Sequence, residues 1–244
     1  MRRVAGLCLA LLLAATAMAR AAPPVDLALV LAVDASRSVD VEEFDLQRTG
    51  YVAAFRDPRI MRAVASGSVG AIAVVMFQWS GARLQQVVVP WTVLASGEDC
   101  LAFALAIEKS EWHIFGGGTS VSGAIDFGVL TLGRVPAEPV RRVIDISGDG
   151  SNNNGRLPVY ARDEAVAQGI VINGLTILND EPMLDIYYRQ NVIGGPGAFV
   201  VATSDYETFA QAVLDKLVRE IAFDQTFSPS IAEISRSASS SVMP

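Results

Sequence analysis

Two aspartates and three hydroxyl residues stand in three short segments of this 244-residue chain. The segments are Asp34-Ala35-Ser36-Arg37-Ser38, Gly117-Gly118-Thr119-Ser120 and Ser147-Gly148-Asp149-Gly150. Asp34, Ser36, Ser38, Thr119 and Asp149 together make an all-oxygen set. Such a set suits a hard cation, Mg²⁺ or Mn²⁺, and not zinc or copper. Hydroxyls can hold Mg²⁺ directly while aspartates act partly through water, which leaves the ion short of negative charge. An ion in that state attracts a carboxylate arriving from outside, so the chemistry is that of binding. Taken singly the same residues read more plainly: Asp34 ends a strand, and Ser36 or Ser38 caps a helix.

Catalysis has poor raw material here. His113 is the only histidine, and no G-x-S-x-G elbow is present for a Ser-His-Asp hydrolase. His113, near Trp112 and Phe115, reads as a packing or surface residue. A metal could activate water for hydrolysis, but no general base stands out beside the five residues. The chain is therefore expected not to be an enzyme. Gly116-Gly117-Gly118 lacks the Lys-Ser/Thr of a phosphate-binding loop, and no G-x-G-x-x-G follows the first strand. Asp149 to Gly155 fails the EF-hand pattern, with Asn154 at position six and Tyr160 at position twelve. Its asparagines and glycines read as a turn that tolerates left-handed backbone.

The elements that must position these residues alternate between strand and helix. Leu27–Val33 is a continuous apolar run closed by Asp34, as a strand buried on both faces would be. Asp40 is placed to cap a helix through Phe44, Tyr51 and Phe55, stopping near Pro58. Strands over 71–77 and 84–89, joined through Trp79-Ser80-Gly81, read as a hairpin. Helices are expected over 98–109 and 122–132, then a strand over 142–147. A helix over 159–168, a strand over 170–178, a helix over 183–192 and a short strand over 198–202 follow. Ser204 is expected to cap a last helix ending near Ile221. This pattern predicts an α/β fold: a doubly wound, mostly parallel six-stranded sheet with one antiparallel edge strand and helices on both faces. With strand order 3-2-1-4-5-6, the three chemical segments meet where the order of connection reverses.

Residues 1–21 read as a signal peptide. Arg2 and Arg3 precede an apolar run from Val4 to Ala15, and cleavage is expected after Ala19 or Ala21. The run is short of the roughly 20 residues a membrane span requires. The exported chain would be periplasmic or secreted, with no membrane span in its mature part. The net charge of −7 becomes −9 without Arg2 and Arg3, and −10 without Arg20 as well. A balance that acidic disfavours nucleic acid and anionic lipid as partners. With Cys8 removed, Cys100 is the one remaining thiol, so the core must supply stability without an intrachain disulfide. The serine-rich end, 228–244, has little to bury and reads as a tail.

The combination of Asp34-x-Ser36-x-Ser38, Thr119 after a glycine run, and Asp149 before Gly150 resembles the metal-ion-dependent adhesion site (MIDAS) of von Willebrand factor A (VWA) domains. The resemblance covers about residues 25–222. It implies a VWA/Rossmann-like fold in which Ser36, Ser38 and Thr119 contact the metal and Asp34 and Asp149 act directly or through water. It also implies a protein partner that supplies a carboxylate. The run from Ser147 to Asn153 further resembles a bacterial VWA-like family of unknown function. Other readings stay open: a metal-assisted hydrolase on the same scaffold, or a structural VWA domain with a vestigial site. Trp79 with Arg37 could form a recognition rim, or Trp79 could be buried against a helix. Asp126 reads as a helix-surface or packing residue, and Asp145 as a buried partner of a backbone donor or of Arg141 or Arg142.

Overall fold

A computed structural model describes residues 21–111, 113 and 117–222. The expected leader and the serine-rich tail lie outside the described residues, except for Ala21. The strands are β1 (Pro24–Asp34), β2 (Ile72–Trp79), β3 (Gln85–Leu94), β4 (Glu138–Gly148), β5 (Val171–Ile177) and β6 (Val200–Thr203). They form one sheet in the order β3-β2-β1-β4-β5-β6, parallel throughout except for the β2–β3 hairpin. The expected fold class and strand order hold.

The helices are α1 (Val41–Arg56), α2 (Pro58–Ala65), α3 (Gly97–Lys109), α4 (Val121–Leu132), α5 (Pro158–Ala167), α6 (Leu184–Asn191) and α7 (Phe209–Ile221). Side chains alternate across β1 and divide the core in two. Leu27, Leu29, Leu31 and Val33 pack with Tyr51, Phe55, Phe103 and Phe209 of α1, α3 and α7. Ala28, Val30 and Ala32 face Val121, Ile125, Ala161 and Tyr188 of α4, α5 and α6. Burying each large apolar side chain contributes about 1.5–3 kcal/mol, which holds β1 between its two helical layers.

Asp40 caps α1 as expected, accepting from the backbone N–H groups of Glu42 and Glu43, and the Glu43 carboxylate closes a capping box by accepting from Asp40 N. Pro58 does more than stop that helix. Asp57 accepts from Arg59 N and caps α2, with Pro58 in its first turn, where a proline costs no hydrogen bond. That helix was not anticipated, because a proline after a helical run reads first as a stop. Ser204 is not the cap of the last helix. Asp205 accepts from Thr208 N, and α7 starts at Phe209. Strand β1 starts three residues earlier than expected, at Pro24, and β3 continues to Leu94.

Asp145 is buried, but its partner is neither Arg141 nor Arg142. Lys216 Nζ, itself fully buried on α7, lies 2.5 Å from Asp145 Oδ1 and 3.3 Å from Glu220 Oε2. Asn173 of β5 donates to Glu220 Oε1 at 2.6 Å, so one lysine and one amide serve two acids. Arg141 instead donates to the carbonyls of Glu220 and Ile221 at the C-terminus of α7, where a cation is favourable. The Arg142 guanidinium donates to the Gln168 carbonyl. Asp145 and Lys216 are distant in the chain, and only the packing of α7 on the sheet brings them together. Burial raises the Asp145 carboxyl to about 7, against the opposing pull of Lys216.

Lys216→Met removes the cation and leaves both acids buried, so urea unfolding at neutral pH is expected to show a loss of about 3–5 kcal/mol. Without Lys216 the carboxyl pKa rises further and the folded state takes up protons. The deficit should therefore shrink as the pH is lowered from 7 towards about 5. An unchanged midpoint at neutral pH would contradict the assignment.

Candidate functional site

The carboxyl ends of β1, β2 and β4 build the site. β1 lies between β2 and β4, with Asp34 level with Trp79 and Val33 level with Ser147. Beyond that level β1 leads to α1 on one face, while the segment leading into α4 arrives on the other. Three loops therefore meet at the reversal point.

All five predicted side chains converge there. Asp34 Oδ1 accepts from Ser36 N at 2.7 Å, and the Ser36 and Ser38 hydroxyls are 3.1 Å apart. Thr119 Oγ1 donates to Ser36 Oγ at 3.4 Å, and Ser38 Oγ donates to Asp149 Oδ1 at 2.8 Å. Asp34, Ser36, Thr119 and Asp149 are buried, and Ser38 is exposed, so the cluster meets solvent at Ser38. Neither carboxylate forms a salt bridge with a described residue, and Asp34 Oδ2 is buried without a hydrogen-bond partner. Burial, then repulsion from Asp149, holds the Asp34 carboxyl well above the usual carboxylate range. Burial also raises Asp149, with Asp180 adding to it, against hydrogen bonds from Ser38 and Tyr206. A divalent cation or protonation would relieve two buried carboxylates in this position.

No group of three or more His, Cys, Asp or Glu converges as a metal site among the described residues. The Asp34 cluster has two carboxylates and three hydroxyls, so an ion there would depend on the hydroxyls.

Sequence reasoning missed several supporting residues. Tyr206, in the loop before α7, donates from its hydroxyl to Asp149 Oδ2 at 3.0 Å. Burial, then repulsion from Asp149 and Asp34, raises the phenol far above its ordinary pKa, so it stays a donor. Gln47 of α1 donates to the Asp34 carbonyl at 3.3 Å. Tyr188 is fully buried, and its Oη has no hydrogen-bond partner. Gly148 has to be glycine at this density: a Cβ would fall 2.9 Å from both Asp34 Oδ2 and Tyr188 Oη. A lone tyrosine ahead of a helix carries no signal of this role in the sequence.

Of the two readings of Trp79, the structure bears out burial and not the recognition rim. Trp79 is fully buried on the α4–α6 face of the sheet, and its Cζ2 would lie 3.3 Å from a Cβ at Gly148. It therefore packs beneath the site, while Arg37 is exposed. In the Asp149–Gly155 run the expected left-handed backbone is found at a glycine and not at the asparagines. Among the described non-glycine residues none has positive φ, and only Gly155 in this loop does. Each asparagine instead accepts from a different backbone N–H: Asn152 from Ser122, Asn153 from Thr119 and Asn154 from Ala82, at 3.1, 2.8 and 2.9 Å. Thr119 O accepts from Asn153 N, and Ser80 O accepts from Ser120 N. The hairpin, the Thr119 loop and the Asp149 loop are thus stitched into one unit. Gly118 lets the last two approach, since a Cβ there would meet Asn153 Oδ1 at 2.6 Å. Asp126 lies on the helix surface as expected, paired with Arg156 at 2.6 Å.

Residues 24–225 match a family described as "Protein of unknown function (DUF1194)". The chain belongs to that family. No curated protein matches this DUF1194 chain. Among solved structures its fold is similar to VWA-domain proteins. Proximal thread matrix protein 1 from the mussel byssus, in a structure with a zinc-occupied MIDAS motif, aligns with a TM-score of 0.56 at 14% identity. That alignment covers 82% of this chain and 49% of the matrix protein. The pilus adhesin SpaC from Lactobacillus rhamnosus GG aligns with a TM-score of 0.57 at 16% identity, over 81% of this chain and 31% of the adhesin. BatB from Bacteroides thetaiotaomicron, a conserved hypothetical protein, aligns with a TM-score of 0.50 at 17% identity, over 81% of this chain and all of BatB. The chain thus spans half or less of the matrix protein and the adhesin. At these identities the likeness is one of fold. No helix among the described residues is long and apolar enough to cross a membrane.

Asn153→Ala leaves the Thr119 N–H without its acceptor. It is expected to cost about 1–3 kcal/mol, read by urea denaturation. An unchanged unfolding midpoint would mean that the asparagine does not hold the Thr119 loop.

Proposed function

We propose that this protein is an exported VWA-type interaction module that grips an acidic group of a protein partner through a divalent cation. Asp34, Ser36, Ser38, Thr119 and Asp149 would hold the ion, Mg²⁺ or Mn²⁺. The observation that carries this reading is the convergence of two buried carboxylates, unpaired with any described base, on three hydroxyls beside solvent. An oxygen-only set favours a hard cation. Hydroxyl ligands add no charge, and aspartates acting partly through water leave the ion short of negative charge, so it keeps its attraction for an external carboxylate. The zinc-occupied motif of the mussel protein supports a divalent cation in this fold. The matrix protein and the pilus adhesin support a binding role over an enzymatic one. The basic start and apolar run of residues 2–15 support export to the periplasm or beyond.

Within this reading, Ser36, Ser38 and Thr119 orient hydroxyl oxygens toward the ion, and Tyr206 holds Asp149 in place from behind. Calorimetry with Mg²⁺ and Mn²⁺ tests it. The wild-type protein should give saturable binding, and Asp34→Ala and Thr119→Ala should each weaken it by about tenfold or more, as losses of ligands to a charged centre do. Absence of any metal-dependent heat from folded wild-type protein would sink the proposal.

Tyr206→Phe removes one hydrogen bond to Asp149 and nothing else from the ligand set. It should weaken the metal by about fivefold, equivalent to about 1 kcal/mol. Recovery of a partner from envelope extract should fall when chelator is added. Recovery that is unchanged in chelator would favour a structural domain with a vestigial site.

A further inference from the structure

One side of the Asp34 cluster carries carboxylates that the proposed ion does not neutralise. Glu43, in the first turn of α1, accepts from Asn179 Nδ2 at 3.0 Å, which draws the β5–α6 loop against α1. Asp180 follows Asn179 and is exposed. Glu181 Oε1 accepts from Ser151 N and Ser151 Oγ at 3.0 and 3.1 Å. A Cβ on Gly150 would lie 3.7 Å from that Glu181 oxygen and 3.8 Å from Thr119 Oγ1, so Glu181 stands across Gly150 from Thr119. Burial raises the Glu43 carboxyl, and repulsion from Asp40, Asp149 and Asp180 adds to it, which puts these groups within one field. None of Glu43, Asp180 and Glu181 forms a salt bridge with a described residue.

The charges do not suit a partner that is acidic throughout. A divalent ion would be held by Asp34 and Asp149, and three further negative charges then face whatever approaches. Like charges set against each other at an interface select against a partner, and opposite charges select for one. The fully buried Asp34 Oδ2, without a hydrogen-bond partner, belongs to the inner ion site and is not neutralised by any of these outer groups. Val41, three residues beyond Ser38, and Met183, two beyond Glu181, are 68% and 65% exposed. Exposed apolar side chains this near in sequence to Ser38 and Glu181 suit a peptide segment better than a small polyamine.

We propose that the partner presents a peptide segment in which an acidic residue is flanked by lysine or arginine, the basic residues lying over Glu43, Asp180 and Glu181. This rests on the reading of the Asp34 cluster as a cation-dependent carboxylate receptor. The inner set takes the acidic side chain, and the outer carboxylates decide which acidic segments are accepted.

A displayed random-peptide library, panned on the full chain in Mg²⁺ and eluted with chelator, tests the idea. The same panning is done on the triple variant Glu43→Gln, Asp180→Asn, Glu181→Gln. Glutamine preserves the capping box at position 43 and an acceptor oxygen for Ser151 at position 181. Thermal melting checks that the variant is folded. The wild-type pool should be enriched in Asp or Glu, with Lys or Arg within three positions enriched about threefold or more over the input. The variant's pool should keep the acidic residue and lose the basic ones. Acidic enrichment without basic neighbours, or the same basic enrichment with the triple variant, overturns the inference and leaves the carboxylate receptor standing. A pool with no chelator-sensitive acidic enrichment overturns the receptor, and the inference with it.

Discussion

Two carboxylates buried side by side, with no described base to neutralise them, set the terms for the carboxyl edge of this sheet. Asp34 ends β1 and Asp149 directly follows β4, the neighbouring parallel strand, so their approach follows from the pairing of β1 with β4. The cost of keeping two such groups out of water has to be met by donors or by a cation. The donors on hand are neutral and few: Ser36 N for Asp34, and the hydroxyls of Ser38 and Tyr206 for Asp149. Asp34 Oδ2 is left without any. A divalent ion or a proton would each relieve that oxygen, and the hydroxyls of Ser36, Ser38 and Thr119 lie around the pair, bonded to one another and to Asp149.

A second buried acidic pair, Asp145 of β4 and Glu220 of α7, gives the contrast. Asp145, four residues before Asp149, shares Lys216 with Glu220, and Asn173 completes the group. There the chain supplies its own cation from α7. The two clusters have similar burial but different partners, and the difference separates an internal brace from a site that meets solvent. The brace also fixes the helix that follows Tyr206, so the same element that neutralises Asp145 starts from the loop that holds Asp149.

Position within the fold accounts for the remaining architecture. Loops at the reversal of strand order are free to carry polar residues, and here they are fastened to each other by asparagine side chains instead of by regular structure. Similarity to VWA-domain proteins of byssus, pilus and Bacteroides origin describes the scaffold. A shared scaffold does not carry a function with it, so any role of this chain has to be argued from its own residues.

The apolar period and the alternation of elements by themselves determined a doubly wound sheet with helices on both faces, because a strand covered on both faces must be apolar at every position, as Leu27–Val33 is. The order of the strands was only assumed and was decided by tertiary pairing. The five oxygen residues were legible too, since each sits next to the end of a strand or the start of a helix. Other features depended on contacts between residues remote in the chain. Nothing local marks Lys216 as the partner of Asp145, Tyr206 as a donor to Asp149, or Asn152–Asn154 as stitches between loops. Trp79 could be read as a rim residue or as a buried one from its place at the end of a hairpin strand, and only the helices that cover that face of the sheet decide for burial. Periodicity records which face of an element is buried. Only tertiary packing decides which polar groups meet inside, because a hydrogen bond or an ion pair depends on distance in space and leaves no period in the chain.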